Sequence, residues 1–250
     1  MKRMRRAGFL VLVGTSALAG CAGIATNLTE NEGFHRMLEL PERLDLALLG
    51  AGQPMAREYA ESAISPVFRQ NGFDPPSTPD YVAWSRKAWH GYRLFVTGLV
   101  ETPKSYDVDT LRRSFPRVAQ VTRHDCVEGW SVIGKWTGVA LRDVLADCSP
   151  KPQARYVVFH CMDQDAGGEP YYESLDMRQA AHPQALLAYE LNDKPVPVEN
   201  GAPIRLKVPT QLGYKSAKYV QRIEVVAGLG GMLGNGGYWE DQGYEWFAGI

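Results

Sequence analysis

The sequence predicts a mixed α+β fold in which strands dominate, and three observations carry that expectation. With 25 glycines and 16 prolines in 250 residues, long helices are interrupted too often for a bundle. Apolar runs of strand length recur between polar, turn-forming stretches. Helical spacing is confined to short segments. A hydrophobic content of 45% is enough to bury a substantial core. The net charge of −1 lacks the basic excess of nucleic-acid-binding domains, so no nucleic-acid partner is expected.

Taken in chain order, residues 1–21 read as a lipoprotein-type signal peptide. Lys2, Arg3, Arg5 and Arg6 form its charged start, and residues 9–19 its apolar stretch. That stretch is too short to span a bilayer stably. It ends in Leu18-Ala19-Gly20-Cys21, which resembles a bacterial lipobox whose cysteine is lipidated and becomes the mature N-terminus. One acyl chain binds a membrane only weakly, so stable anchoring at Cys21 needs several. Arg5-Arg6 resembles a twin-arginine export signal, with Gly8 where a larger apolar residue is usual. That route carries folded, cofactor-loaded proteins. The expectation is a periplasmic protein tied to the membrane through lipid at Cys21.

Residues 22–80 read as a tether and N-terminal extension. Pro41 interrupts the apolar pattern of 34–49, which favours short helical turns, and the proline-rich stretch 72–79 is extended. The body, residues 81–227, then alternates in strand fashion. Strands are predicted at 92–100, 118–123, 155–161, 171–175, 186–191, 204–208 and 220–227. Helical spacing begins near Asp109 and again over 137–146. The glycine- and aromatic-rich end, 228–250, is expected to wrap the surface as an ordered, irregular strap.

The four cysteines, Cys21, Cys126, Cys148 and Cys161, never fall at C-x-x-C spacing, which disfavours a zinc ribbon or a thioredoxin motif. A Cys148–Cys161 bridge is compatible with an oxidising compartment, and spacing alone leaves it open. The run His124-Asp125-Cys126-Val127-Glu128-Gly129-Trp130-Ser131 is predicted to join a strand to a helix, where a scaffold presents reactive groups. A thiolate there is a strong ligand for a thiophilic metal. On chemistry alone, a small buried hydrophobe is the commoner role for a lone cysteine. Gly129-Trp130-Ser131-Val132-Ile133-Gly134 misses the serine-hydrolase elbow by one position. The glycines of 228–234 lack a following helix to make a dinucleotide site. The five histidines have no metal-ligand spacing, though His124 could enter a pocket beside Cys126.

Three motifs together shift the balance. RHDCVEGWSVIGKWTGV at 123–139 resembles the cysteine loop of the molybdopterin-binding domain in the sulfite-oxidase superfamily, especially its bacterial periplasmic branch containing methionine-sulfoxide reductases. The resemblance implies that Cys126 is the protein ligand to molybdenum. The segment Asn200-Gly201-Ala202-Pro203-Ile204-Arg205-Leu206-Lys207-Val208-Pro209 is similar to that family's NGAP-x-R-L-x-VP stretch, implying that Asn200 and Arg205 contact the pterin cofactor. An arginine fork suits phosphate or pterin oxygens. Leu212-Gly213-Tyr214-Lys215-Ser216-Ala217-Lys218 resembles the loop that cradles the cofactor's phosphate, which assigns Ser216, Ala217 and Lys218 to that role. Asn71 resembles an N-terminal asparagine that touches the pterin, and Cys161 stands where the methionine-sulfoxide branch has a cofactor-contacting threonine.

What the resemblance implies is an oxidoreductase carrying Mo-molybdopterin, which transfers an oxygen atom to or from a small substrate and exchanges electrons with a haem-containing partner. Sulfite would need several arginines around the metal. Arg69 and Arg123 do not match that pattern, and the aromatic set Trp130, Tyr171 and Tyr172 with Glu128 favours a neutral, sulfoxide-like substrate. The competing expectation is a molybdopterin-binding or structural envelope lipoprotein that has lost catalysis.

Overall fold

The computed structural model describes residues 54–250. The signal segment, Cys21 and the helical turns expected at 34–49 lie outside the described residues. Two five-stranded sheets organise the rest. The first contains β1 (Leu94–Gly98), β2 (Lys104–Tyr106), β5 (Tyr156–Gln164), β6 (Pro170–Asp176) and β10 (Val220–Val226), in the order β2-β1-β10-β5-β6. The second is β3 (Arg117–Asp125), β4 (Ser131–Ala140), β7 (Leu186–Leu191) and β8 (Lys194–Pro195) in that order, with β9 (Arg205–Lys207) also paired to β7. Short helices α1 (Pro79–Ser85), α2 (Val108–Ser114), α3 (Leu141–Cys148), α4 (Met177–Ala180) and α5 (Tyr238–Asp241) fill in between. The mixed, strand-rich class expected from the sequence is the one observed.

Local chemistry fixes the helix starts. Asp107 accepts from the Thr110 amide at 2.6 Å and opens α2. Asp176 and Gln179 close a reciprocal capping box on α4. Both sheets contribute to one apolar cluster in which Leu94, Val96, Phe159, Leu187, Leu206 and Ile223 are wholly buried.

One expected element is corrected. Residues 137–140 are not helical: they end β4, and the helix starts only at Leu141. The reason is that β4 pairs antiparallel with β3 on one side and β7 on the other, so its backbone groups are satisfied across the sheet. Its β-branched Thr137 and Val139 suit that setting. Gly138 permits it, because a Cβ there would fall 2.2 Å from the Leu187 carbonyl oxygen. Helical spacing resumes with Leu141, Val144, Leu145 and Cys148, all buried. The Cys126 loop is therefore a hairpin turn between β3 and β4, not a strand-to-helix connection.

Cys148 and Cys161 are free thiols, so the bridge between them is not formed. The Cys148 sulfur lies 3.3 Å from the Tyr106 hydroxyl instead.

Parallel pairing of β1 with β10 depends on Gly98. Its φ of +84° is unfavourable for other residues, and a Cβ would lie 2.2 Å from the Val225 carbonyl oxygen. Gly98→Ala is expected to destabilise the fold by about 3 kcal/mol or more, read as a lowered midpoint in denaturant unfolding. A midpoint shift within experimental error would mean the strands separate at no cost.

Candidate cofactor-binding site

Cys126 sits at the tip of the β3–β4 hairpin, half-buried. The turn is closed by Cys126 N donating to the Trp130 carbonyl at 2.9 Å and Gly129 N to the Cys126 carbonyl at 3.0 Å. Beneath it opens a cleft of about 540 Å³ including its mouth, within the range of small-ligand pockets. Asn71, Cys126, Arg205, Ser216, Ala217 and Lys218 all line it, although they come from four separate stretches of chain.

Two of the expected residues lie elsewhere. Asn200 is buried in the 3-10 turn Val198–Asn200 and does not line the cleft; its carbonyl accepts from Arg205 Nη1 at 3.1 Å. Cys161 lines a neighbouring cleft with His160, Tyr171 and Tyr172. Conversely, the cleft takes in Phe73, Asp163, Tyr171, Tyr214 and Trp239. Of these, only Tyr171 stood out in the sequence, as part of the aromatic set. Asp163 arrives through the course of β5 and Trp239 through α5, and neither carries a local motif. Lys207 had a readable signal: a second cation two positions after Arg205 in a strand whose three residues are all buried.

The electrostatics are unusual for a protein interior. Arg205 is 0% exposed, Lys207 1% and Lys218 5%. Among the described residues, none of the three forms an ion pair with a carboxylate. Burial lowers Arg205 to about 10. Burial and the Arg205 charge together lower Lys207 to about 7 and Lys218 to about 8. Asp163 is the acid in the cleft, and burial raises it to about 7 against the pull of Lys218. Lys218 Nζ donates to the Phe73 carbonyl at 2.7 Å, and Lys207 Nζ to the Arg123 carbonyl at 3.1 Å. Neutral carbonyls alone do not compensate buried ammonium groups.

Several buried polar atoms in and around the cleft also lack partners: Asn71 Oδ1, His124 Nδ1, Asp163 Oδ1, Asn200 Nδ2 and Arg205 Nε. His124 is 1% exposed and held well below its ordinary pKa by burial, then by Lys207 and Arg205; its Nε2 lies 3.3 Å from Asn71 Nδ2. Gly213 leaves room for that ring, since a Cβ there would sit 2.5 Å from His124 Nε2. Burial raises the Cys126 thiol above its usual range, while hydrogen bonds from the Glu128 backbone and the Asn71 side chain work against it. A polar, anionic ligand with a soft metal centre fits this donor set: it would neutralise the cations, occupy the orphaned polar atoms and take the thiolate.

Residues 81–228 match the family model of the oxidoreductase molybdopterin-binding domain. The chain belongs to that family. It is a molybdopterin-binding oxidoreductase of the sulfite-oxidase superfamily. It is 37% identical over 246 residues to a putative protein-methionine-sulfoxide reductase subunit of Azospira oryzae, covering 96% of this chain and 84% of that one. A protein-methionine-sulfoxide reductase catalytic subunit of Ralstonia nicotianae is 36% identical over 168 residues, or 64% of this chain and 50% of that one. This chain thus spans about half the length of the catalytic subunit it matches. Among solved structures, the sulfane dehydrogenase SoxCD of Paracoccus pantotrophus is similar with a TM-score of 0.49 and 26% identity, over 55% of this chain and 38% of that one.

Proposed function

We propose that this oxidoreductase reduces sulfoxides, with methionine sulfoxide as the substrate class and Cys126 as the molybdenum ligand. One observation carries the reading: the thiol, the buried cations Arg205 and Lys218 and the Ser216–Ala217 backbone converge on one cleft, and among the described residues neither cation forms an ion pair with a carboxylate. The names of the two relatives supply the substrate class.

When bound, the cofactor supplies a molybdenum centre that exchanges an oxygen atom with the substrate and stores the electrons involved. The chain's residues do the rest. The Cys126 thiolate ligates the metal, Arg205 and Asn71 hydrogen-bond the pterin, and Ser216, Ala217 and Lys218 hold its phosphate. Asn200 supports Arg205 through its carbonyl. Cys161 stays a proposed neighbour of the cofactor, reached from the adjoining cleft. Phe73, Trp239 and Val127 give the cleft an apolar part of its lining that accepts a sulfur-bearing side chain, since sulfur packs well against aromatic edges. Electrons arrive from a separate haem-containing partner. Export, by the twin-arginine route, and lipid attachment at Cys21 place the reaction in the periplasm at the membrane surface.

The test is metal and pterin analysis of protein made in a cofactor-competent host, followed by turnover with free and peptide-bound methionine sulfoxide under a chemical reductant. Stoichiometric molybdenum with sulfoxide reduction is expected; protein without molybdenum would sink the proposal.

Cofactor retention is expected to depend on pH. An anionic ligand favours the charged forms of Lys218, on the cleft wall, and of Lys207, buried two residues beyond Arg205 in β9, so binding takes up protons once pH exceeds their depressed values near 7 and 8. Ligation by Cys126 releases one proton and opposes this, but above pH 8 two uptakes outweigh one release. Retention after extended dialysis should therefore fall from pH 8 to pH 9.5, by at most about tenfold in affinity per net proton per pH unit. Rising retention over that interval would show that the lysines do not serve the ligand.

A further inference from the structure

The molecule buries a second set of charges, beside the cleft rather than in it. Lys215 ends the 3-10 turn Gly213–Lys215, one residue before Ser216. Its ammonium is wholly buried, donating to Glu173 of β6 and, at 2.5 Å, to Glu240 of α5, whose carboxylates are equally shut off from solvent. Among the described residues, Glu173 Oε2 and Glu240 Oε2 have no hydrogen-bond partner. Burial raises Glu173 well above the usual carboxylate range, Lys215 pulls against this, and Glu240 adds to it.

A buried ion group of this kind is weak evidence for stability, and in some proteins such groups fix how elements meet. The elements here are the Lys215 loop and residues 228–250. The terminal segment runs along the same loop: Leu212 N donates to the Ala248 carbonyl at 2.9 Å, Ile250 N to the Thr210 carbonyl at 3.1 Å, and the Tyr214 hydroxyl to the Glu245 carbonyl at 2.6 Å. Trp239, next to Glu240, lines the cleft itself. The loop is clamped between β6 and the chain terminus immediately before the residues assigned to the phosphate.

We propose that Glu240 is a positioning residue: through Lys215 it holds Ser216–Lys218 in the shape that retains the cofactor's anionic end. Residues 228–250 thereby set how firmly the cofactor stays bound. The proposal rests on the reading that Ser216–Lys218 hold that end.

The experiment compares wild-type holoenzyme with Glu240→Gln, which keeps the side chain's size and removes its charge. Two quantities are measured: the rate of molybdenum and pterin loss after dilution, and the difference in Tm between protein made with and without cofactor. Release is expected to be about tenfold faster in Glu240→Gln, at the lower end of what losing an outer-shell partner costs. The Tm difference should shrink, because the stabilisation by bound ligand grows with the logarithm of its affinity. A merely structural role would lower both Tm values together and leave their difference intact. That result, or unchanged release, overturns the proposal. Should Glu240→Gln not fold, Glu240→Asp keeps the charge on a stem one methylene shorter and carries the same expectation. Lys218→Ala separates the layers of the argument. Unchanged release in Lys218→Ala overturns the phosphate reading beneath the proposal. Faster release there, with none in Glu240→Gln, overturns the role of Glu240 alone.

Discussion

Replacing Cys126 with serine is expected to abolish turnover while leaving the fold in place. The residue is half-buried at a hairpin tip and takes no part in the buried apolar core, so the unfolding free energy should change by about 1 kcal/mol or less. The hydrogen bonds that close the turn run through backbone atoms, which the substitution keeps. The functional effect is of another order. A serine hydroxyl is a hard, protonated donor where a soft metal centre calls for a thiolate, so the loss in rate should exceed the roughly 10–100-fold typical of removing an outer-shell partner. Pterin retention should survive better than turnover, because Arg205, Ser216 and Lys218 are untouched. Turnover and molybdenum content are the measurements. A variant with unaltered rate would show that the metal is held elsewhere.

The contrast between Cys126 and its surroundings shows what a single chain of letters discloses. Strands such as β5, β7 and β10 were legible because each is an apolar run of strand length bounded by polar turns. The end of β4 was not. Trp136, Thr137, Val139 and Ala140 are all buried between β3 and β7, so the alternation that marks a half-exposed strand is erased. What remained imitated the spacing of the helix that follows. At the site, residues inside compact motifs were legible: Cys126 in its loop motif, Arg205 in the stretch that forms β9, and Ser216, Ala217 and Lys218 together. Asn71 rested on the resemblance of a single position outside those motifs. Asp163 and Trp239 were not, because β5 and α5 carry them to the cleft from distant segments and neither neighbourhood has a pattern tied to a ligand. Asn200 and Arg205 lie in one motif, yet only the arginine reaches the cleft wall; the asparagine's carbonyl steadies it from behind. Motif membership identified the neighbourhood, and packing decided which member faces inward.

Arg205→Met is expected to move stability and cofactor binding in opposite directions. The guanidinium is 0% exposed, donates to the Asn200 carbonyl, stacks 5.3 Å from the Trp136 ring, and leaves Nε without a partner. Without cofactor, Asp163 is the carboxylate that acts on its charge, and among the described residues no ion pair joins the two. Replacing whole buried ion pairs by apolar side chains of similar volume is often neutral or stabilising by about 1–4 kcal/mol, and a buried charge without an ion-pair partner has less Coulomb energy to lose in the exchange. Two effects reduce the gain here: the Asn200 carbonyl loses its donor, worth about 1–3 kcal/mol when buried, and the ring contact is lost. The gain that offsets them is larger than the isolated arginine suggests, because Lys207 and Lys218 are also relieved of a repulsive neighbour, as their lowered pKa values attest. The net expectation is an apo-protein stabilised by about 1 kcal/mol. Cofactor retention should collapse, since the fork that binds pterin oxygens is gone and, among the described residues, no other arginine lines the cleft. Arg205→Lys keeps the charge without the fork and should recover little binding. Denaturant unfolding of apo-protein and pterin content of purified holoenzyme are the two readouts. An apo-protein weakened by several kcal/mol would mean that Arg205 is chiefly a structural tie, and unchanged pterin content would remove it from the cofactor's partners. The opposed signs distinguish a residue kept for its ligand from one kept for the fold.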